Sequence, residues 1–214
     1  MIPIAEAPRC RLYLTTPPEL VSGGIRLRDF LSGFVRAIGA VDIACLLIEA
    51  PEDATDDVVE AVARPIAAHA QAQGIATLIA NRAALAQRAG DGVHLGLRTA
   101  DQATALRTYR EARKTLGAAA IIGALCADER HMAMEIAELD ADYVGFSAEH
   151  PGVVELIGWW AEMMNAPCVA FDVADPDQAR MLAHRGADFI APSPEIWNDP
   201  DFAPWHKAIG SGER

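Results

Sequence analysis

The chain has 214 residues, is 51% apolar, and carries a net charge of −12 from 18 basic and 30 acidic side chains. That length suits one large α/β domain or two small ones with a sizeable core. The acidic balance argues against a nucleic-acid partner, since such a surface repels phosphate backbones. No apolar run approaches the roughly 18 residues that a membrane span needs, so no membrane partner is expected. The opening MIPIAEAPRC lacks the charged and apolar regions of a signal peptide, which points to the cytoplasm. Cys10, Cys45, Cys126 and Cys168 form no CxxC pair, and buried free thiols are expected.

Residues 1–10 read as a loose arm. Arg11–Thr15 (RLYLT) alternates and is the first predicted strand, followed by a loop through Pro17, Pro18, Gly23 and Gly24. Phe30, Phe34 and Ile38 give helical spacing over Asp29–Ile38. Asp42–Ile48 (DIACLLI) is a continuous apolar run, as in a strand buried on both faces. Thr55 is placed to cap a helix through about Gln73, with Asp56 and Asp57 at its positive end and Gly74 as its stop. Ile75–Ala80 is the third strand. Asn81 is expected to cap a short helix carrying Leu85 and closed by Gly90, and Asp91–Leu95 is the fourth strand.

The second half repeats the pattern. Helices are predicted over Asp101–Leu116, Asp128–Leu139, Val154–Asn165 and Asp175–His184. Strands are predicted over Ala118–Ile122, Asp142–Phe146, Pro167–Phe171 and Asp188–Ala191. Short helices near Glu195–Trp197 and Pro200–Ala208 end the chain. Eight strands alternating with about eight helices favour a closed (β/α)₈ TIM barrel over an open doubly wound sheet. It is read as a single domain over 1–214. A weak internal echo (AVDIACLLI, AGDGVHL, DADYVGF, GADFIA) puts an Asp at the entry of four strands, a position that serves stability.

A barrel gathers the residues after its strands into one mouth. Those are Thr15 and Thr16, Glu49, Asn81, His94 with Gly96, Gly123 with Cys126, Ser147 with Glu149 and His150, Asp172, and Ser193. Alternation puts Val93 and Leu95 on one face and turns His94 to the other, towards the barrel interior. No GxGxxG or GxxxxGK[ST] occurs. APSPEIW (Ala191–Trp197) follows the last strand, where barrels often hold phosphate, but its prolines remove N–H donors.

The run LIANRAALAQRAGDGVHLG resembles the core of the thiamin phosphate synthase family, which commonly reads IINDxxxLAxxxGADGVHLGQxD. LGAAAIIG, DADYVGFSAEHP, RGADFIAPS and the opening RLYLTT are similar to further family segments, in order, over most of the chain. The related thiazole tautomerase shares the fold. The resemblance implies a (β/α)₈ barrel that joins hydroxymethylpyrimidine diphosphate to thiazole phosphate, with Mg²⁺ holding the diphosphate leaving group.

The departures fall where that chemistry lives. At the family's two metal-binding carboxylates the chain has Arg82 and Thr99. Cys45, Leu47 and Glu49 take the places of a diphosphate-binding QLRxK. Glu155 stands at a lysine position, Leu125 and Ala127 at a Ser and a His, and Asp172 and Val173 at a glycine pair. Asn81, His94 and Gly96 are retained. Mg²⁺ needs hard oxygen ligands, so no bound metal or other cofactor is expected at the replaced positions.

The first expectation is thus a thiamin-phosphate-synthase-like protein with weak or absent synthase activity. Its ligand contacts would come from Asn81, Arg82, His94, Gly96, Glu149, Asp172 and Ser193. The second is a non-catalytic or regulatory barrel of the same family. A third builds a Zn²⁺ or Mn²⁺ site from His94, Glu149, His150 and Asp172. The expected partner is a small molecule, phosphorylated if the family's substrates are kept. Trp159, Trp160, Trp197 and Trp205 either cover the barrel or line a contact in a homo-oligomer.

Overall fold

The computed structural model describes residues 10–126, 130–198 and 200–210. Eight parallel strands pair in sequence order and close into a barrel. They are β1 (Arg11–Thr15), β2 (Ile43–Ile48), β3 (Ala76–Ala80), β4 (Gly92–Gly96), β5 (Ile121–Leu125), β6 (Tyr143–Ser147), β7 (Cys168–Val173) and β8 (Phe189–Pro192). Around them lie α1 (Glu19–Ser22), α2 (Leu27–Ala40), α3 (Asp56–Gln71), α4 (Ala83–Ala89) and α5 (Gln102–Leu116). The ring continues with α6 (Arg130–Glu138), α7 (Val153–Met163), α8 (Pro176–Arg185) and α9 (Ala203–Gly210). A 3₁₀ turn covers Pro194–Asn198. Among the described residues no helix is long and apolar enough to cross a membrane.

Period-2 alternation divides the core into two layers. Leu12, Leu14, Leu46, Ile48, Ile79, Val93, Leu95, Val144 and Phe146 face outward under the helices. Tyr13, Cys45, Leu47, Leu78, Ala80, Tyr143, Val169, Phe171 and Ala191 fill the barrel. Its interior is narrow, and two glycines make room for its rings. A Cβ on Gly123 would lie 2.0 Å from the Tyr143 ring, and one on Gly145 would lie 2.5 Å from the Phe171 ring. All four cysteines are buried.

The strand-entry acids have a definite task. The Asp91 amide donates to the Thr77 carbonyl at 2.7 Å, and its carboxylate accepts the Thr77 N–H at 2.8 Å. Asp142 repeats this two-point clamp on Ile122, and Asp188 repeats it on Cys168. Each acid closes the entry of a strand by accepting one of its first amides. Asp42 differs: its carboxylate pairs with Arg11 at 2.8 Å.

Several boundaries move. β5 starts three residues later than Ala118, because Ala118–Ala120 form a turn and the sheet register aligns Ile121 with Gly92. Gly123 is therefore mid-strand, beneath Tyr143, instead of in the mouth. β7 runs on to Val173, which pairs with Pro192, so Asp172 belongs to the strand. The loop expected at Pro17–Gly24 contains the short α1. Asn81 does not cap α4. That position falls to Arg82, with no side-chain bond, while Asn81 adopts left-handed backbone (φ 56°). The arm at residues 1–9, the first residues of the predicted 128–139 helix, and Ala127 lie outside the described residues.

Candidate functional site

The carboxyl ends of the strands meet at one mouth. On its β3–β4 side, the Asn81 amide oxygen accepts the Gly96 N–H at 2.8 Å, and the Asn81 N–H donates to the His94 carbonyl at 2.8 Å. Asn tolerates the left-handed backbone this bridge requires. The bridge ties the two strand ends together and uses the Asn81 oxygen internally.

Arg82 turns away from its neighbours in the expected set. Its guanidinium pairs with Asp56 at 2.7 Å and donates to the Pro51 carbonyl at 3.1 Å. The side chain is 19% exposed and pins the β2–α3 loop to the β3–α4 loop. Thr99 is exposed in the β4–α5 loop.

His94 points into the barrel and is 3% exposed. Its Nδ1 lies 2.7 Å from the Tyr143 hydroxyl, which lies 2.7 Å from the Tyr13 hydroxyl. Burial pushes the imidazole down to about 3, so the ring is neutral at ordinary pH. Burial likewise raises both phenols and the Cys45 thiol beside Tyr13.

A second cluster gathers on the β6–β7 side. The buried Ser147 hydroxyl donates to Asp172 at 2.8 Å, and Arg98 reaches the same carboxylate oxygen at 3.3 Å and Glu149 at 3.8 Å. Asp172 also has left-handed backbone (φ 59°), which costs a non-glycine residue about 1 kcal/mol. Glu49 stands nearby after β2, with Thr16 Oγ1 accepting its backbone N–H at 3.0 Å. Burial first, and the Asp172 charge second, raise the Glu49 carboxyl above the usual range.

A cavity of about 790 Å³ opens beside this cluster, lined in part by Glu149, Asp172, Gln178, Ser193, Glu195 and Trp205. Its charged lining is acidic. Its backbone donors are largely engaged. The Ser193 N–H donates to the Val173 carbonyl, the Ala174 N–H to the Gln178 side chain, and the start of α8 is capped by its own Asp175. Pro192 and Pro194 have no N–H to offer.

The mouth therefore unites Glu149, Asp172 and Ser193 around one cavity. Asn81 and Gly96 form a separate bridge above His94, and Arg82 joins neither group. The four residues considered for Zn²⁺ or Mn²⁺ are not assembled: His94 is held by Tyr143 inside the barrel, and His150 Nδ1 accepts the Gly152 N–H. Among the described residues no three His, Cys, Asp or Glu side chains group as a metal site. Cys126 is fully buried in the helix-facing layer, and its thiol is pushed up to about 12 by burial. Thr15 contributes its carbonyl, which accepts the Trp197 indole N–H at 2.8 Å.

A model of the family described as thiamine monophosphate synthase matches residues 12–196, from β1 to the 3₁₀ turn. The chain belongs to the thiamine monophosphate synthase family. Among relatives of this family, a thiamine-phosphate synthase of Rhodospirillum centenum is 39% identical, with 89% of this chain and 91% of that protein covered. One of Hyphomonas neptunium is 36% identical, over 91% and 89%. Solved structures agree on the fold. A thiamine phosphate pyrophosphorylase from Pyrococcus furiosus superposes with a TM-score of 0.75 at 18% identity, covering 95% of this chain and 96% of that one. At 13% identity, a GGGPS from Thermoplasma volcanium gives 0.68, covering 97% and 95%.

Arg98 at the mouth, and Tyr13 and Tyr143 in the barrel beneath it, lie outside the ligand set expected from the sequence. Arg98 sits two residues beyond β4 and carries no motif. Tyr13 and Tyr143 share the inward register of their strands, and that alternation was the signal for them.

Proposed function

We propose that this chain is a small-molecule-binding barrel of thiamin biosynthesis in which the metal-dependent joining of pyrimidine diphosphate to thiazole phosphate is weak or absent. The observation that carries this reading is the β7–β8 end of the mouth. A barrel commonly holds phosphate there on free backbone N–H groups. Here Ser193 and Ala174 spend theirs internally, two prolines have none, and Asp172 and Glu195 supply negative charge.

The family's Mg²⁺ does not fit the side chains present. One carboxylate position is a guanidinium already paired with Asp56, the other is a neutral threonine, and the Asn81 oxygen is committed to Gly96. Mg²⁺ binds through carboxylates and substrate phosphates, and neither is catered for at those positions. Arg82 is no substitute, since its charge is neutralised by Asp56. What remains is a mouth suited to hydrogen bonding a small molecule. Arg98, paired with Asp172 and Glu149, is an exposed cation there, and Ser193, Asp172 and Glu49 are polar groups of its walls.

A second reading, a working synthase, is favoured by the 39% identity to a protein of that name over nearly its whole length. Calorimetry and turnover separate the two. The purified protein is titrated with hydroxymethylpyrimidine, its diphosphate and thiazole phosphate, with and without Mg²⁺. Binding of one precursor without product formation supports the proposal. Turnover that requires Mg²⁺ overturns it.

A further inference from the structure

The Tyr13–Tyr143–His94 row is buried, polar and contiguous. Tyr143 O lies 2.7 Å from both Tyr13 O and His94 Nδ1. Each hydroxyl has one proton to give, and with the Tyr143 proton kept within the row two consistent orders exist. In the first, Tyr13 donates to Tyr143 and Tyr143 donates to Nδ1, leaving the ring proton on Nε2. In the second, Nδ1–H donates to Tyr143, Tyr143 to Tyr13, and Tyr13 to the Cys45 sulfur that lies against it.

The chemistry favours the first order. An imidazole nitrogen is a much better acceptor for a phenol than another phenol oxygen is. The second order also spends a strong O–H donor on sulfur, a weak acceptor. In the first, the mismatch shrinks to a thiol, which is itself a weak donor. The proton on one ring nitrogen is set by the bond that the other makes.

The Nε2 side is not sealed. Among the described residues no group bonds it, and it is not among the buried polar atoms left without partners. Gly96 lies two residues further along β4, on the same inward face, and has no side chain to cover the ring.

We infer that Tyr143 is a positioning residue that fixes His94 as the Nε2–H tautomer, making it a permanent hydrogen-bond donor at the floor of the mouth, matched to a ring nitrogen or carbonyl oxygen of the ligand. The tautomer follows from the barrel interior alone. Only the ligand contact rests on the functional reading above.

Long-range ¹H–¹⁵N spectra of the ring nitrogens test it on the free, full-length protein. The expected His94 pattern is a protonated Nε2 and an unprotonated, hydrogen-bonded Nδ1, unchanged from pH 8 to pH 5. Tyr13→Phe should keep that pattern, because Tyr143 still donates. Tyr143→Phe should abolish the bonded Nδ1 signal and redistribute the ring proton. A part that was merely packing would leave the ring nitrogens alike in both variants. A protonated Nδ1 in the wild type, or an unaltered His94 pattern in Tyr143→Phe, overturns the inference. Should Tyr143→Phe fail to fold, the wild-type and Tyr13→Phe spectra decide. Adding hydroxymethylpyrimidine as a probe then tests the contact. A shifted Nε2–H supports it, and binding that leaves Nε2–H unmoved overturns it. Absence of binding counts against the functional reading and leaves the tautomer standing.

Discussion

At His94 the fold depresses a basic group, and the consequence for stability has a definite sign. The unfolded ring takes up a proton near the ordinary histidine value of about 6.5, whereas the folded ring resists until about 3. Between those values the unfolded chain binds the extra proton, so stability falls as pH falls, by at most about 1.4 kcal/mol per pH unit. Glu49 works in the opposite direction. Its raised carboxyl holds a proton more tightly when folded, so its contribution is lost as pH rises above the ordinary carboxylate value. His94→Leu should therefore flatten the acid limb between pH 6.5 and about 4.5. Urea midpoints at several pH values check this, and a wild-type slope retained in the variant would contradict the assignment. The inward turn of His94 was legible from the alternation in DGVHLG. The phenol pair behind the ring was not, because Tyr13 and Tyr143 are 130 residues apart and meet only across the barrel.

Among the elements, the strand-entry acids carry the clearest internal logic. Asp142 accepts the Ile122 N–H at 2.8 Å and pairs with Arg113 at 3.1 Å. Removing it strands a strand-end amide, which costs about 1–3 kcal/mol. Among the described residues the Asp42 carboxylate makes only the pair with Arg11, 63% exposed on the acid's side, and its loss should cost below about 1 kcal/mol. Asp142→Ala is thus expected to lower the urea midpoint more than Asp42→Ala does. Equal shifts would mean that the amide bond contributes little. The sequence placed all four acids at strand entries through their repeated pattern. It misplaced the start of β5, since an alanine-rich AAAII run gives no local cue to the residue at which pairing begins. The sheet register with β4 makes that choice.

Over the whole molecule, charge and cavity chemistry point the same way. A net charge of −12 surrounds a mouth whose cavity walls are acidic. Long-range repulsion should slow the approach of an anionic ligand, and added salt should relieve it. The association rate for thiazole phosphate, followed by stopped flow, is expected to rise between 20 and 200 mM salt, on the order of a Debye length shrinking from roughly 20 Å to 7 Å. A rate that falls with salt would reveal a local cationic funnel around Arg98 strong enough to outweigh the rest of the surface.

By itself the sequence determined the barrel, the family and the polar residues near its strand ends, because periodicity, strand count and motif spacing are properties of the chain read locally. The tertiary structure alone decided what those residues face. It sent Arg82 to Asp56, spent the Asn81 oxygen on Gly96, joined Asp172 to Ser147 and Arg98, and stacked His94 against Tyr143. Such pairings depend on which strands become neighbours and on the register at which they close. Closing the barrel fixes both at once, and no stretch of chain encodes them separately.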